Sequence, residues 1–201
     1  MADNPLVSII VPVHDGEAFI GATLGVAGTW LVGGLASGPL HRGWMVGPDQ
    51  GLQRPLVTPI ATGAGAFGVF YAAALVARQI PPLNRALQDI LRFADEGAPS
   101  MVLLTTLVNG AGEEVFFRGA MYAALGDAHP VSLSTAFYTL SVVATRNPAL
   151  VLAAGVMGTL FGLQRRASGG IQAPLLTHGT WATLMLRYLP PLFQDRTPRR
   201  G

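Results

Sequence analysis

Six stretches of mostly apolar residues, separated by short polar segments, dominate the chain. A helix that spans a membrane needs about 20 consecutive residues that are predominantly apolar, and several of the stretches approach or reach that length. The pattern therefore predicts an all-α polytopic membrane helical bundle with about six spans. These spans cover residues 19–36, 57–77, 100–125, 131–145, 149–164 and 171–189.

One further segment, residues 79–97, has a different pattern. Its apolar residues recur at helical spacing after a pair of prolines, and charged residues lie between them. This periodicity predicts an amphipathic helix. Two interpretations of that helix remain open: it lies at the membrane surface, or it is an ordinary connection between two spans.

The composition agrees with a membrane protein. Half of the 201 residues are hydrophobic and 12% are charged, against roughly 25% charged residues in soluble proteins, and the mean hydropathy is +0.43. The chain has no cysteine, which excludes a disulfide framework, a thiolate metal site and a cysteine nucleophile. Its net charge of +2 is dispersed, without a basic patch among aromatic residues, so we expect no nucleic-acid partner.

The arginines predict the orientation of the protein in the membrane. Six spans place both termini on one side, and that side carries more arginines than the other. The positive-inside rule then places both termini in the cytoplasm. The chain has no lysine and is rich in Ala, Gly and Pro, as GC-rich bacterial genes produce. We therefore expect a multi-pass protein of the bacterial cytoplasmic (inner) membrane.

The N-terminal segment, residues 5–20, predicts a buried β-strand followed by a turn. Over about residues 5–24 it resembles the opening of family 2 glycosyltransferases, in which such a strand begins a nucleotide-sugar-binding domain. No Asp-x-Asp metal motif and no βαβ continuation follow, and one strand cannot form a nucleotide site. We therefore expect a non-functional, fused glycosyltransferase-like fragment (1–24), a membrane domain (25–190) and a polar tail (191–201).

Two adjacent carboxylates in the third apolar stretch give the first prediction of chemistry. Glu113, Glu114 and Arg118 carry charges that are costly in a membrane and usually face a protein interior or a watery cavity. On an α-helix Glu114 and Arg118 lie four residues apart, so they can pair. Glu113 points about 100° away and is less neutralised, which makes it the candidate general base for activating water. The alternative is a structural Glu–Arg pair that holds helices together.

A second candidate is His178, in the last apolar stretch. A histidine within a span can act as a base, a ligand or a hydrogen-bond donor. It can equally be a buried residue with only a structural role, and the glutamate pair elsewhere in the membrane keeps both interpretations open. The other histidines, His14, His41 and His129, lie in predicted loops or in the N-terminal fragment, and we expect no role for them.

These residues together resemble one family. Glu113-Glu114-x-x-x-Arg118-Gly119, followed later by Ala173-Pro174-Leu175-Leu176-Thr177-His178, is similar to the CAAX prenyl endopeptidase and bacteriocin-processing family (CPBP, or Abi) over about residues 25–190. The resemblance implies an all-helical membrane fold. It also implies hydrolysis of a peptide or protein substrate, near its C-terminus, within the lipid bilayer. By the family pattern, Glu113 activates the water, and Glu114 with Arg118 supports the site.

The chain departs from the family pattern at two positions. The second motif of the family ends in a histidine that helps to hold the water, and the best match, residues 143–147, has Asn147 there. The third motif, His-x-x-x-Asn, keeps His178 but has Ala182 in place of an oxyanion donor. Losing one such donor typically lowers the rate about a hundred- to a thousandfold. The predicted catalytic residues are Glu113, Glu114, Arg118, Asn147 and His178.

Two functions are compatible with these residues. The first is an intramembrane endopeptidase with degenerate second and third motifs. The second is a catalytically impaired membrane protein that acts in bacteriocin immunity or as a binding scaffold. We expect no cofactor. Some interpretations of the family invoke a metal ion, and if one binds here, Glu113, Glu114 and His178 are the only strong ligands left.

Overall fold

The fold consists almost entirely of helices. A computed structural model describes residues 16–96 and 98–193. In this part of the chain a π-helical segment, Glu114–Met121, joins α4 to α5, and a 3₁₀ turn, Pro190–Leu192, follows α8. Two short antiparallel strands, β1 (Met45–Val46) and β2 (Leu52–Gln53), lie between α1 and α2. The α-helices are α1 (Gly16–Ala36), α2 (Val57–Ala77), α3 (Pro81–Glu96), α4 (Pro99–Glu113), α5 (Tyr122–Leu125), α6 (Pro130–Val143), α7 (Pro148–Ser168) and α8 (Gln172–Tyr188).

The predicted all-α membrane bundle is confirmed. Each of the six apolar stretches is helical over most of its length, and α3 covers the predicted amphipathic segment. Two helices, α2 and α7, are long and apolar enough to cross a membrane, while α6 and residues 21–36 of α1 are shorter apolar helices. The number of six spans therefore stays a prediction.

The two long apolar helices expose most of their surface. Only 11% of the apolar window of α2 and 28% of that of α7 is buried. A helix that is apolar all round is normally buried in a protein core or in a membrane, so these exposed surfaces fit contact with lipid. Val57, Val69 and Val76 are among the exposed side chains of α2.

Prolines and caps set the helix boundaries. Helices α3, α4, α6 and α7 each begin with a proline, at a position where the missing N–H would have no partner within the helix. Asn147 caps α7, because its Oδ1 accepts hydrogen bonds from the backbone N–H groups of Ala149 (3.0 Å) and Leu150 (3.3 Å). The helix ends at Gly169, whose φ of 69° gives the left-handed conformation common at helix C-termini.

Helix α4 and the π segment lie at the centre of the bundle. Helix α1 packs along both of them, and α8 packs against α4. Helices α6 and α7 pack as a pair and both contact the π segment, while α2 packs along α8. Side chains from α4, α6, α7 and α8 can therefore meet around Glu113 and Glu114.

The expected N-terminal strand falls mostly outside the described residues, which begin at Gly16. Residues 16–20, at the end of the predicted strand and turn, belong to α1 instead, so that part of the prediction is wrong. A helix satisfies its own backbone hydrogen bonds, which favours it in an apolar segment of a membrane protein. The division of the chain at residue 24 falls within α1 and remains a prediction, and residues 194–201 of the polar tail lie outside the described part.

Candidate active site

Glu113, the last residue of α4, is held by two neutral donors. The Asn109 side-chain amide, one turn earlier on α4, donates from Nδ2 to Glu113 Oε1 over 2.8 Å. The Tyr138 hydroxyl, from α6, donates to Glu113 Oε2 over 2.9 Å. Each carboxylate oxygen has a second lone pair. The carboxylate is thus oriented from two helices and retains acceptor capacity for a further proton donor such as water.

Glu114 occupies a different environment from that of its neighbour. Its side chain is completely buried, whereas Glu113 is only partly buried. Glu114 Oε1 accepts from Arg118 Nη1 at 3.4 Å and lies 2.9 Å from His178 Nδ1. The pairing of Glu114 with Arg118 that the sequence spacing predicts is therefore present, and His178 joins it from α8.

His178 is fixed in orientation by its contacts. An ionised Glu114 can only accept hydrogen bonds, so Nδ1 of His178 carries a proton and donates. The imidazole ring stacks on the Phe161 ring of α7, with centroids 4.8 Å apart and planes 17° apart. The face of the ring near its Nε2 edge packs over Gly110, since a Cβ atom built there would lie 3.1 Å from Nε2 and 3.2 Å from Cε1. Gly110 thus gives the ring room against α4.

The Arg118 guanidinium is completely buried, and its two terminal nitrogens have polar partners, whereas Nε has none among the described residues. It contacts Glu114 through Nη1 and donates from Nη2 to the Gly158 carbonyl oxygen over 3.1 Å. Its central carbon lies 4.6 Å from the Tyr138 ring centroid and 5.2 Å from that of Phe161, within the range of cation–π attraction. Arg118 therefore links the π segment to α6 and α7.

Close packing of α7 against this arginine makes Gly158 sensitive to substitution. A Cβ atom at Gly158 would lie 3.1 Å from Arg118 Nη2 and equally close to Thr135 and Tyr138. We expect Gly158→Ala to lower the free energy of unfolding by about 1–3 kcal/mol, because the added methyl group overpacks the site.

Gly155, on the same helix, is the matched control for this prediction. The nearest atom to a Cβ built there is Thr139 Oγ1, at 3.9 Å. Gly155→Ala is expected to leave the free energy of unfolding unchanged or to raise it by up to about 1 kcal/mol, since alanine favours helix. Thermal unfolding of both variants in detergent compares them, and equal behaviour of the two would contradict the packing that we describe.

The part of the chain that carries these residues matches a known protein family. Residues 95–184 match the family model described as type II CAAX prenyl endopeptidase Rce1-like. The resemblance to the CAAX endopeptidases is confirmed. It supports a membrane protease of the CAAX type that acts on a peptide substrate, and the matched region contains every predicted catalytic residue. No curated protein and no solved structure matches the chain, and the glycosyltransferase resemblance of residues 5–24 is not borne out.

Asn147 is engaged away from the Glu113 and Glu114 cluster. Its Oδ1 caps α7 and its Nδ2 donates to the Ala86 carbonyl oxygen of α3 over 2.8 Å. It precedes Gly158 by 11 residues, about 16 Å along the axis of α7 at the rise of an α-helix. Asn147 is therefore not among the described side chains that contact Glu113, whose donors are Asn109 and Tyr138. The physical reason is that an asparagine before a proline at a helix start is a good cap.

Asn147 gives a second prediction, because its contacts are structural. We expect Asn147→Ala to lower the free energy of unfolding by about 1 kcal/mol through loss of the cap. The same variant should retain any peptide cleavage activity when it is compared at equal folded fractions. A measured loss of activity in a fully folded Asn147→Ala protein would contradict this assignment.

Ala182 lies one helical turn after His178 on α8 and is buried. Its methyl group offers no donor at the position where the family has asparagine.

The residues at Glu113 that the sequence did not predict are Asn109 and Tyr138. The spacing of Asn109 four residues before Glu113 was a usable signal. Tyr138 carries a hydroxyl group in an apolar helix, and only the packing of α6 shows that it reaches Glu113.

The donor set does not fit a divalent metal ion. Among the described residues, no group of three His, Asp or Glu side chains is arranged to hold one. The oxygens of Glu113 face Asn109 and Tyr138, while Glu114 Oε1 and His178 Nδ1 face each other. We therefore derive no step through a metal.

Proposed function

We propose that the chain is an intramembrane endopeptidase of the CAAX type in which Glu113 is the general base. The observation that carries this proposal is the difference between the two glutamates. Glu114 is completely buried and bound to Arg118 and His178, whereas Glu113 is partly exposed and contacts only neutral donors. A carboxylate with neutral partners keeps the basicity that proton abstraction requires.

The reaction that fits this site is direct hydrolysis by water. Glu113 accepts one proton of a bound water, the water oxygen attacks the peptide carbonyl carbon, and the C–N bond breaks as the proton passes to the leaving amine. Glu114 accepts from Nδ1 of His178. When His178 is an imidazolium, its Nε2 also carries a proton and can donate it in a hydrogen bond to the peptide carbonyl oxygen, which becomes negative during the attack. Tyr138 and Asn109 orient the carboxylate.

The surroundings of the protein are part of the same proposal. We infer a multi-pass protein of the bacterial inner membrane with a peptide or protein substrate in the bilayer. The apolar, exposed surfaces of α2 and α7 support contact with lipid. The match to the type II CAAX prenyl endopeptidase model supports a peptide substrate, and the resemblance of the motifs implies a cut near the C-terminus of that substrate.

The test of this function is isotope labelling during hydrolysis. The purified protein in liposomes is incubated with a membrane-protein fraction in ¹⁸O water, and new peptide C-termini are identified by mass spectrometry. Hydrolysis inserts one labelled oxygen into each new carboxylate, and liposomes without the protein provide the background. If no labelled terminus exceeds that background, the endopeptidase proposal is wrong.

A second candidate function is a catalytically impaired membrane protein for bacteriocin immunity or scaffolding. It is favoured by the internal hydrogen bonds to both Glu113 oxygens and by the missing donor at Ala182. In that case Glu113→Gln leaves the immunity phenotype of producing cells unchanged, while expression and folding remain intact. Loss of the phenotype on this substitution would count against the second candidate.

A further inference from the structure

A loop at one end of the bundle is held in place by hydrogen bonds, and it is distant in sequence from Glu113 and Glu114. It connects α1 to α2 and is clamped to the turn between α7 and α8 by backbone hydrogen bonds. Trp44 N donates to Ser168 O over 2.8 Å, Ile171 N to His41 O over 2.8 Å and Gln172 N to Arg42 O over 3.1 Å. These three hydrogen bonds fix the position of the loop relative to the turn between α7 and α8.

A cavity of about 450 Å³, open to the surface, lies between the loop and that turn, and its two arginines are exposed. Its described lining contains two arginines and one histidine but no aspartate or glutamate: Leu40, His41, Arg42, Gly43, Trp44, Arg54, Ser168 and Gly169. The acidic residue of the same loop, Asp49, accepts from the Gly51 backbone N–H (3.3 Å) at the tip of the β1–β2 hairpin. The cavity is therefore an electropositive site suited to an anion.

Arg54 is held in place at this cavity. Its Nη1 donates to the Gly43 carbonyl oxygen over 3.0 Å, and its guanidinium carbon lies 3.7 Å from the centroid of the Trp44 ring. A guanidinium has five N–H donors, so most of them remain for a ligand. Within the part of the chain that the structure describes, neither Arg42 nor Arg54 forms a salt bridge to a carboxylate.

The position of the cavity points to a lipid as the source of the anion. It lies where α7 ends and near the start of α2, the two helices that are long enough to span a membrane. In the proposed multi-pass arrangement, this position is at the level of the lipid headgroups. The β1–β2 hairpin beside it exposes Val46 (63% exposed) and its cross-strand partner Leu52 (70%). Trp44 next to them is half exposed, and tryptophan is enriched at the membrane interface.

We propose that Arg42 and Arg54 bind the phosphate of an anionic glycerophospholipid whose acyl chains lie against the β1–β2 hairpin. Arginine recognises phosphate oxygens through paired N–H donors. The exposed Val46 and Leu52 distinguish a lipid from a free phosphate, which has no apolar part. This site is separate from the Glu113 cluster and does not depend on the proposed peptidase activity.

The experiment is a titration of the full-length protein in detergent with phosphatidylglycerol, followed by native mass spectrometry. Arg42→Gln is the main variant, because the Arg42 side chain makes no hydrogen bond to any described residue. We expect about fivefold weaker binding for each arginine removed, and weaker binding of phosphatidylcholine by the wild-type protein. Arg78→Gln, an exposed arginine after the other end of α2, is the matched control and should bind like the wild type.

Three results would overturn the proposal. Unchanged phosphatidylglycerol affinity in a folded Arg42→Gln/Arg54→Gln protein shows that the arginines do not bind the lipid. Wild-type lipid affinity in Val46→Ser/Leu52→Ser, with displacement of the lipid by millimolar inorganic phosphate, shows a site for free anions. Arginine-dependent binding of a peptide with a free C-terminal carboxylate, but not of its amidated form or of the lipid, shows a peptide site.

Discussion

Replacing Glu113 by glutamine is expected to lower peptide cleavage by about a hundred- to ten-thousandfold, the range that general-base catalysis contributes. Glutamine has nearly the same shape but cannot take a proton from water at neutral pH. The Asn109 and Tyr138 groups would still find one oxygen acceptor at this position. We therefore expect a modest change in stability and a large loss of rate, measured on a peptide identified by the labelling experiment.

Asp127→Asn is the matched control for this variant. Asp127 is an exposed carboxylate just after α5 and lies outside the site, so its loss should leave cleavage unchanged. Unfolding midpoints of both variants establish that differences in rate do not arise from unfolding. Cleavage by Glu113→Gln at the wild-type rate would rule out Glu113 as the base in the proposed mechanism.

Replacing Arg118 by methionine is expected to lower the free energy of unfolding by about 3–5 kcal/mol, the range found when one partner of a buried ion pair is removed. The substitution leaves the Glu114 carboxylate in the interior with only His178 Nδ1 as a donor. It also leaves the Gly158 carbonyl oxygen without its Arg118 donor. Unfolding in detergent, followed by circular dichroism or a thermal shift, measures the effect.

A double-mutant cycle separates the charge effect from the loss of packing. Glu114→Gln removes the charge that Arg118 neutralises, so Arg118→Met should be less damaging in the Glu114→Gln background than in the wild type. Arg166→Met, an exposed arginine on the last turns of α7, should change stability little, as surface charges usually do. Strictly additive effects of Glu114→Gln and Arg118→Met would show that the two side chains are not coupled.

The helices could be predicted from the sequence because they depend on local pattern. Apolar stretches, prolines at the first helical position and the left-handed Gly169 mark the element boundaries within a few residues. The contact between Glu114 and Arg118 is also local, since both residues lie four apart on one helix. Information within one helix was therefore sufficient to predict the helices and the contact between Glu114 and Arg118.

The rest of the site depends on which helices face each other. Tyr138 reaches Glu113 because α6 packs near the π segment, and no periodicity within α6 specifies that neighbour. The π segment itself was not predicted: it adds residues per turn and changes the angle between successive side chains from that of an α-helix. The capping role of Asn147 was not predicted either, because a motif match along the chain does not reveal that the side chain caps a helix.

The contacts of Glu114 determine what a change at either glutamate would indicate in a related sequence. Glu114 bonds to Arg118 and His178, and Arg118 extends the network to α7 through the Gly158 carbonyl oxygen. Loss of Glu114 or Arg118 therefore threatens folding before it affects chemistry. Under the proposed mechanism, a relative that lost peptidase activity would still be selected to keep both residues, while Glu113 would be free to vary. Glu114 and Arg118 would thus report that the bundle is intact, and Glu113 would be the better indicator of the proposed activity.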